Sequence, residues 1–186
     1  MAHTENFPSQ PTLVGDALIL RPLRAEDFVP MYTAASDPLI WEQHPDPSRY
    51  QRGVFEANFF APAMAGASAL VVVDRASSQV IGSSRFYEWD PVKREVAIGY
   101  TFLSRSHWGG DTNREMKALM LAHAFRFAQR VWFHVGANNL RSRKAMEKIG
   151  GVLNHLGEKT LFGVSHAYAF YAIDAADFAA AQSAVG

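Results

Sequence analysis

Apolar and polar residues alternate along several short stretches of the chain. Leu18 and Leu20 fall on one side of such a stretch while Ile19 and Arg21 fall on the other, which is the period of two expected of a β-strand. The run Ala-Leu-Val-Val-Val-Asp at 69–74 is largely β-branched, which is typical of a central strand. This pattern predicts seven strands, at residues 12–23, 69–74, 80–87, 95–103, 131–135, 152–159 and 166–173.

Helical spacing of apolar residues appears between these strands. Met116, Leu119, Met120 and Phe127 form one stripe and predict a long helix over 112–129. The remaining signals predict helices at 25–36, at 53–61 with Pro62 and Gly66 closing it, at 139–149 before Gly150 and Gly151, and in the Ala-rich tail, with a loop at 39–52.

The order of these elements predicts a single α+β domain. Its centre is expected to be a mixed, mainly antiparallel sheet of six to seven strands flanked by helices. The domain is expected to span residues 12–186 and to follow a flexible polar lead at 1–11. A chain of 186 residues is long enough to bury a sizeable core.

Composition narrows the functional classes. Lys plus Arg and Asp plus Glu both number 18, so the net charge of zero argues against nucleic acid as the main ligand. The absence of cysteine excludes disulfides, thiolate metal sites and a cysteine nucleophile. Without a secretory signal or an apolar run of roughly 18 residues, a cytoplasmic protein with no membrane span is expected. His107, His123 and His134 form no recognisable metal set, and no metal is expected.

Candidate chemistry begins where the fourth predicted strand ends. Residues 100–113 read Tyr-Thr-Phe-Leu-Ser-Arg-Ser-His-Trp-Gly-Gly-Asp-Thr-Asn and lead into the long helix. A helix start has unpaired N–H groups and partial positive charge, and Gly109 and Gly110 would let the backbone approach a phosphate. Neither Gly-Lys-Ser/Thr nor Gly-x-Gly-x-x-Gly is present. Alone, the segment fits either a phosphate site or a plain strand-to-helix turn.

A second segment, at 135–151, reads Val-Gly-Ala-Asn-Asn-Leu-Arg-Ser-Arg-Lys-Ala-Met-Glu-Lys-Ile-Gly-Gly. Together the two segments resemble the GNAT superfamily of N-acetyltransferases, specifically its RimJ/RimL-like branch of ribosomal-protein N-terminal acetyltransferases. The resemblance covers about residues 18–173, including Leu-Arg-Pro-Leu at 20–23 and Ile-Gly-Tyr at 98–100. The motif positions are Arg105, Trp108, Gly109, Asn113, Asn139, Ser142, Lys148 and Gly150.

The resemblance implies a site for acetyl-CoA as the acetyl donor. The backbone of Phe102, Leu103 and Ser104 would pair with the pantetheine arm like an added strand. Asn139 would hydrogen-bond the pantetheine, and Ser142 would lie beside the thioester sulfur. Backbone amides of one continuous stretch would hold the pyrophosphate: Trp108, Gly109, Gly110, Asp111, Thr112 and Asn113.

Several charged residues near these motifs have two interpretations. Asp111 replaces the usual second glycine, where a carboxylate would repel a pyrophosphate unless it points away, and helix N-capping is the alternative. Asn113 and Lys117 lie one helical turn apart and fit contacts to phosphate or adenine, or a solvated face. A local basic cluster has the same two interpretations: Arg141, Arg143, Lys144 and Lys148.

The acid–base groups depart most from the family pattern. Many members have a glutamate base where this chain has Ala97, and a tyrosine acid where it has Met146. Glu95 precedes Ala97 by two residues on the same strand face and is the candidate base acting through a water, with an exposed carboxylate as the alternative. Ser142 is the candidate nearest the sulfur, with a first-turn helix serine as the alternative.

The acceptor side is assigned to aromatic residues. Trp41, Tyr87 and Trp89 would line it, with core or rim packing as the alternative. The expected reaction moves acetyl from acetyl-CoA to a primary amine, a protein N-terminus or a small molecule, by direct attack in a ternary complex. The alternative is a catalytically weakened acyl-CoA-binding sensor of the same fold, which Ala97 and Met146 favour. A homodimer is compatible with the sequence.

Overall fold

The computed structural model describes residues 6–183 and contains one sheet of eight strands. The strands are β1 (Leu13–Val14), β2 (Leu18–Pro22), β3 (Ala69–Asp74), β4 (Val80–Asp90), β5 (Glu95–Leu103), β6 (Arg130–Gly136), β7 (Val152–Leu161) and β8 (Val164–Asp174). Their order is β1-β2-β3-β4-β5-β6-β8-β7, and all neighbours are antiparallel except the parallel pair β5 and β6. The predicted α+β class and mixed, mainly antiparallel sheet are confirmed.

The sheet has one strand more than the predicted upper limit because residues 12–23 form two strands. A turn separates β1 from β2, and in it the Gly15 N–H donates to the Leu18 carbonyl (2.9 Å). The two strands then pair as a hairpin, with Leu13 opposite Leu20. Leu13 therefore shares a face with Leu20, and the alternation shifts by one residue at the turn. The predicted alternation rested on residues 18–21, which lie wholly within β2, so it did not reveal the break.

Residues 6–183 contain seven α-helical segments, six between strands and one after the last strand. They are α1 (Phe28–Ala35), α2 (Pro38–Trp41), α3 (Arg52–Phe55), α4 (Ala61–Ala65), α5 (Thr112–Ala124), α6 (Leu140–Lys148) and α7 (Ala175–Ser183). A π-helical turn, Glu56–Phe60, joins α3 to α4, and 3₁₀ turns lie at Ala25–Asp27, Pro47–Tyr50 and Arg105–His107. The predicted loop at 39–52 therefore contains most of α2 and a 3₁₀ turn.

The helix predicted at 53–61 is longer than expected and is not closed by Pro62. In the π turn the Ala61 N–H donates to the Glu56 carbonyl, five residues back. Pro62 then lies in the first turn of α4, where a missing N–H is tolerated. The helix continues to Ala65, and Gly66 follows it as the C-cap.

The long helix α5 ends at Ala124, five residues before the predicted end at Gln129. Tight turns follow, in which the Phe127 N–H donates to the Ala124 carbonyl (3.0 Å). The Gln129 N–H then donates to the Arg94 carbonyl (2.7 Å), which brings the chain beside the start of β5. Pairing with β5 therefore overrides the helical pattern of these five residues.

Two hydrophobic cores cover the two faces of the sheet. On one face α5 and α6 pack onto the strands, in the cluster that includes Leu20, Ile98, Met116, Met120 and Phe133. On the other face α1 to α4 cover the sheet, in the cluster that includes Met31, Trp41, Phe55, Phe59 and Phe102. Helices therefore cover both faces of the sheet on either side of the parallel pair, β5 and β6.

The flexible lead predicted at 1–11 lies partly outside the described residues. Of the remainder, Phe7 packs against the first core, with its ring centroid 5.1 Å from that of Phe86 and 5.3 Å from that of Trp89. The Pro8 carbonyl is 2.8 Å from His123 Nε2. The described part of the lead is therefore attached to the domain, because Phe7 supplies an apolar anchor within a polar segment.

The parallel strands β5 and β6 pair over only three residues and then separate. Glu95, Val96 and Ala97 lie opposite residues 130–132, and no later pair is formed between the two strands. Within β5, a bulge places one extra residue between Gly99 and Phe102 relative to β4, and Tyr100 there has a φ of +51°. The separation leaves backbone groups of both strands without a strand partner and opens a cleft between them.

Candidate active site

The cleft between the separated strands has a volume of about 1030 Å³. Its walls are residues 98–103 of β5 and 133–136 of β6, and it extends over the loop at 107–111 to the first turns of α5 and α6. A smaller cavity of about 350 Å³ adjoins it, sharing His44, Pro45 and Gly136. The cleft therefore brings together the two motif segments, 100–113 and 135–151, which are more than twenty residues apart in the sequence.

The glycine loop has the backbone freedom that the sequence predicts. Gly109 has a φ of +75°, and a Cβ at Gly109 or Gly110 would meet no atom within 4 Å. Both glycines line the cleft, so this space faces the site rather than packed protein. Trp108 anchors the loop by donating from Nε1 to the Leu103 carbonyl (2.9 Å).

The loop runs directly into α5, whose first turn lines the cleft. This helix has 13 residues and its first N–H groups have no partner within the helix. Asp111 occupies the N-cap position, but its side chain makes no capping hydrogen bond. It pairs with Arg114 instead (3.0 Å) and its side chain is 81 % exposed, so the carboxylate does not cover the helix N–H groups.

The second motif segment forms the opposite rim. Asn139 is buried at the N-cap of α6, where its Oδ1 accepts from the Ser142 N–H (3.1 Å). The Ser142 hydroxyl makes no hydrogen bond to the described residues, and both residues line the cleft with Met146. The predicted contacts of Asn139 and Ser142 with a donor are therefore sterically available.

Positive side chains dominate the cleft wall. Among the described residues that line it are six lysines and arginines but only one carboxylate, that of Asp111. The six are Arg49, Arg114, Lys117, Arg141, Lys144 and Lys148. Arg143 of the predicted basic cluster points elsewhere, toward the Tyr171 hydroxyl (3.0 Å) and the Ala137 carbonyl (3.1 Å).

Lys117 does not lie on a solvated face with Asn113. It is 2 % exposed, lies between α5 and the sheet, and donates from Nζ to Thr101 Oγ1 (2.8 Å). Its Nζ is also 3.5 Å from Ser84 Oγ and 5.5 Å from the centroid of the Phe133 ring. Among the described residues no carboxylate lies within 4.0 Å of it, and burial lowers its pKa to about 7.

Two of the predicted donor residues do not line the cleft, Ser104 and Thr112. The Ser104 N–H donates to the Ile81 carbonyl (2.8 Å), and its hydroxyl lies 2.8 Å from His107 Nδ1. Phe102 and Leu103 do line the cleft. Thr112 is the first residue of α5 and does not itself line the cleft, whereas Asn113 does.

The structure does not bring the candidate base Glu95 to the cleft. Glu95 lies at the start of β5, and its Oε2 accepts from Trp132 Nε1 (2.9 Å). Five residues separate it from Tyr100, a distance of about 16 Å along an extended strand. Alternation along β5 correctly placed Glu95 on the same face as Ala97. However, β5 and β6 separate only after Ala97, so Glu95 lies where the two strands are still paired.

Of the three predicted acceptor-side aromatic residues, only Trp41 lines the cleft. Its ring belongs to the second core, and its Nε1 donates to the Ala35 carbonyl (2.8 Å). Tyr87 is half-buried and does not line the cleft, and its hydroxyl lies 3.0 Å from His134 Nδ1. Trp89 packs beside Phe7. For Tyr87 and Trp89 the packing alternative therefore describes the structure.

Sequence reasoning assigned no role to Arg49, Tyr100 and Tyr168, which line the cleft on the face covered by α1 to α4. His44 and His134 line the cleft beside them. Burial and the nearby Arg49 lower the pKa of His44 to about 3, and burial and Lys159 lower that of His134 to about 4. Both rings are therefore neutral at pH 7. No local pattern marks Arg49, which lies in the segment predicted as a loop.

Two kinds of structural feature are absent from residues 6–183. No helix in that range is long and apolar enough to cross a membrane. No group of three or more His, Asp or Glu side chains that could hold a metal ion occurs among the same residues.

Comparison with known proteins gives consistent matches. The model of a family described as an acetyltransferase (GNAT) domain matches residues 17–152. No curated protein sequence matches the chain. Among solved structures, a GCN5-related N-acetyltransferase from Brucella melitensis has a TM-score of 0.79 at 20 % identity, covering 96 % of this chain and 85 % of that one.

Two other solved structures were obtained with ligands. Mycobacterium smegmatis RimJ in complex with CoA-disulfide has a TM-score of 0.71 at 20 % identity, covering 92 % of this chain and 91 % of that one. Spermidine N-acetyltransferase from Vibrio cholerae, in complex with CoA and spermine, has a TM-score of 0.68 at 18 % identity, covering 89 % and 99 %. At these identities the likeness concerns the fold.

Proposed function

This chain belongs to the GNAT acetyltransferase family, and on that premise we propose that it transfers the acetyl group of acetyl-CoA to a primary amine. The observation that carries the proposal is the cleft between β5 and β6, with the glycine loop and the N-terminus of α5 at its rim. The same proposal assigns the chain to the RimJ/RimL-like branch and to the cytoplasm.

The rim supports binding of the phosphates of acetyl-CoA. The free N–H groups at the start of α5 attract anions, and Gly109 and Gly110 leave room for a pyrophosphate. Arg114, Lys144 and Lys148 add positive charge around the same opening. Asp111 does not oppose this, because its exposed carboxylate pairs with a side chain.

The strand edges support binding of the pantetheine arm. Beyond Ala97, the side of β5 that faces β6 has no strand partner, so its backbone groups are free to pair with an amide-bearing chain. Phe102 and Leu103 line this edge, and Asn139 faces it from the N-terminus of α6. An extended ligand would therefore replace the missing pairing between the two strands.

The proposed reaction needs no covalent enzyme intermediate. The neutral amine attacks the thioester carbonyl, a C–N bond forms, the C–S bond breaks, and the thiolate of CoA takes up a proton while the amine nitrogen loses one. Ser142 is the proposed group beside the sulfur, because its hydroxyl is free and faces the cleft. Glu95 has no part in this proposal, because it lies outside the cleft.

A second candidate function is an acyl-CoA-binding sensor without turnover. It is favoured by one observation: Met146 and Ala97, at the positions of the family's acid and base, have no transferable proton. Both functions require the donor site, so they differ only in turnover.

Two measurements separate these functions. Isothermal titration with CoA tests the donor site, and release of free thiol from acetyl-CoA in the presence of an amine panel tests turnover. The enzyme is expected to bind CoA and to release thiol in an amine-dependent way. Binding of CoA without release for any amine would leave the sensor, and no binding of CoA would overturn both.

A further inference from the structure

The face of the cleft opposite α5 contains buried positive charge that the described residues neutralise only in part. Arg49 is 3 % exposed and Arg85 is 8 % exposed, and both guanidinium groups lie within 6 Å of the Phe59 ring centroid (5.5 and 5.9 Å). Burial lowers the pKa of each, and their mutual repulsion adds to the lowering at Arg85. Arg49 lines the cleft directly, whereas Arg85 lies against the ring of Tyr100 (4.0 Å).

The hydrogen bonds of these two groups are incomplete. The Nε atoms of Arg49 and Arg85 are both fully buried, and neither has a hydrogen-bond partner among the described residues. Arg49 Nη1 lies 3.2 Å from Nε2 of the neutral His44, and Arg49 Nη2 makes no hydrogen bond to the described residues. A buried guanidinium without partners loses solvation energy, which a ligand oxygen can restore.

Within residues 6–183, one carboxylate lies within 4.0 Å of this pair, and its geometry is poor. Asp46 Oδ2 is 3.5 Å from Arg49 Nε, which is longer than the 2.7–2.9 Å typical of a charge-assisted hydrogen bond. The same oxygen is buried without a hydrogen-bond partner among the described residues. Asp46 uses its other oxygen to accept from the Ser48 N–H (3.2 Å) and hydroxyl (2.6 Å), which holds it at the start of the 3₁₀ turn.

The remaining carboxylates near this side are already paired. Glu42, in the adjoining cavity, lies 3.3 Å from Arg141, and Glu88 lies 2.9 Å from Lys159. The described residues therefore offer no free carboxylate here to receive a second ammonium group. A polyamine would bring further positive charge beside two buried guanidinium groups, which is unfavourable at close range.

We propose that the acceptor is an amine that also carries a carboxylate, and that Arg49 binds this carboxylate in the cleft. This inference rests on the proposed acetyltransferase function. The planar guanidinium offers parallel N–H donors that match a carboxylate, and its Cζ lies over the ring of Trp41, 5.6 Å from the centroid. Arg85 strengthens the attraction from behind Tyr100 without touching the ligand.

Two kinds of molecule present this chemistry. A free α-amino acid has its carboxyl carbon two bonds from the amine nitrogen, and a peptide with an acidic second residue has a side-chain carboxylate several bonds farther from its N-terminal nitrogen. The test uses matched probes for both: leucine against leucinamide and isopentylamine, and the peptide amides Ser-Asp-Ala against Ser-Asn-Ala. Spermidine serves as the polycationic probe.

The main measurement is the KM for each amine, from thiol release at saturating acetyl-CoA. The carboxylate-bearing member of at least one pair is expected to have a KM lower by about tenfold or more, the gain typical of one paired carboxylate. The pair that shows the difference identifies the source of the carboxylate. Equal KM values within both pairs, or a preference for spermidine, would overturn the proposal.

Two variants connect the effect to Arg49. Asp46→Asn keeps the oxygen that caps the 3₁₀ turn but removes the competing charge, so it is expected to lower the KM of the carboxylate probe several-fold and to leave its amide unchanged. Arg49→Met is expected to abolish the difference within the pair. Arg52→Met is the matched control, because Arg52 also lies over aromatic rings (5.2 Å from Phe28) but does not line the cleft. An unchanged KM ratio in Asp46→Asn contradicts the assignment even where Arg49→Met fails to fold.

Failure of the proposed function is distinguishable from failure of this inference. If CoA binds but no amine is turned over, calorimetry of leucine, leucinamide and both peptides with the CoA-bound protein replaces the kinetic measurement. If binding then depends on the carboxylate and is stronger in Asp46→Asn, the result would support the anion site and contradict the assignment as an enzyme. Absence of any carboxylate-dependent binding would overturn the inference.

Discussion

Replacing Lys117 by methionine should stabilise the protein, and by an amount that depends on pH. The lysine is 2 % exposed, has no carboxylate within 4.0 Å among the described residues, and has a pKa lowered by burial from 10.5 to about 7. Methionine fills a similar volume without a charge. The hydroxyls of Ser84 and Thr101, which now face Nζ, lie 2.8 Å apart and can remain bonded to each other.

The sign follows from where the proton is bound. Below pH 7 both the folded and the unfolded chain hold the proton on Lys117, so the folded state bears the full cost of the buried cation. Between pH 7 and pH 10.5 the unfolded chain keeps the proton while the folded chain has released it, so the free energy of unfolding of the unmodified protein rises with pH. Above pH 10.5 both states are neutral and the cost is gone.

The magnitude follows from the same two pKa values. A lowering from 10.5 to about 7 corresponds to about 5 kcal/mol, at ~1.4 kcal/mol for each tenfold change in proton affinity. This is an upper limit, because water entry or side-chain movement around the charged form reduces the cost. Lys117→Met should therefore gain up to ~5 kcal/mol at pH 6 and only about 1–1.5 kcal/mol at pH 9.5.

Urea unfolding followed by circular dichroism at these two pH values measures the difference. Lys93→Met is the control, because this lysine is exposed and its replacement removes no buried charge. Its effect on the free energy of unfolding should be small and the same at both pH values. A gain for Lys117→Met that is equal at pH 6 and pH 9.5, or a loss at pH 6, would refute the buried-charge argument.

Three further predictions concern the donor site and the reaction. Gly109→Glu should weaken CoA binding in calorimetry by at least about tenfold, because it places a carboxylate beside the proposed pyrophosphate site. Gly163→Glu is the control, because Gly163 is also an open position of positive φ (+80°) but lies outside the cleft, and it should not weaken binding. Equal losses of affinity in the two variants would point to backbone strain alone. Ser142→Ala should lower kcat more than it weakens CoA binding. The Asn139 side chain accepts from the Ser142 backbone N–H, which alanine also has, so the helix cap is retained. Equal effects on kcat and CoA binding, or no effect on either, would indicate that Ser142 is only a structural residue. Glu95→Gln should leave kcat unchanged, because Trp132 keeps an acceptor, and a large fall in kcat would show that Glu95 reaches the reaction after all.

The predicted fold depended on local periodicity, and it succeeded where local periodicity decides the structure. The run at 69–74 is β3 at its predicted bounds, buried over its first four residues. The pattern failed where a distant contact competes. The last five residues of the helix predicted at 112–129 are not helical, because the Gln129 N–H bonds the Arg94 carbonyl instead. Helical spacing of apolar residues does not reveal this contact.

The cleft was predicted from motif resemblance, and its charged interior was not. Lys117 was detectable, because it precedes the buried residues Met120 and Leu121 by three and four positions and therefore shares their helix face. Arg49 was not detectable, because its burial depends on Trp41 and Phe59, which meet it only in the folded chain. The position of Glu95 likewise depended on where β5 and β6 part.

The buried cations on the two faces of the cleft have one physical consequence in common. Lys117 lies on the α5 face and Arg49 on the opposite face, and each is costly to bury without a full ionic partner. A donor with a pyrophosphate and an acceptor with a carboxylate would repel each other if they met in a neutral cleft. On the proposed function, cations on both walls would offset that repulsion, and the stability lost in the free protein would be recovered when the two anionic ligands bind together.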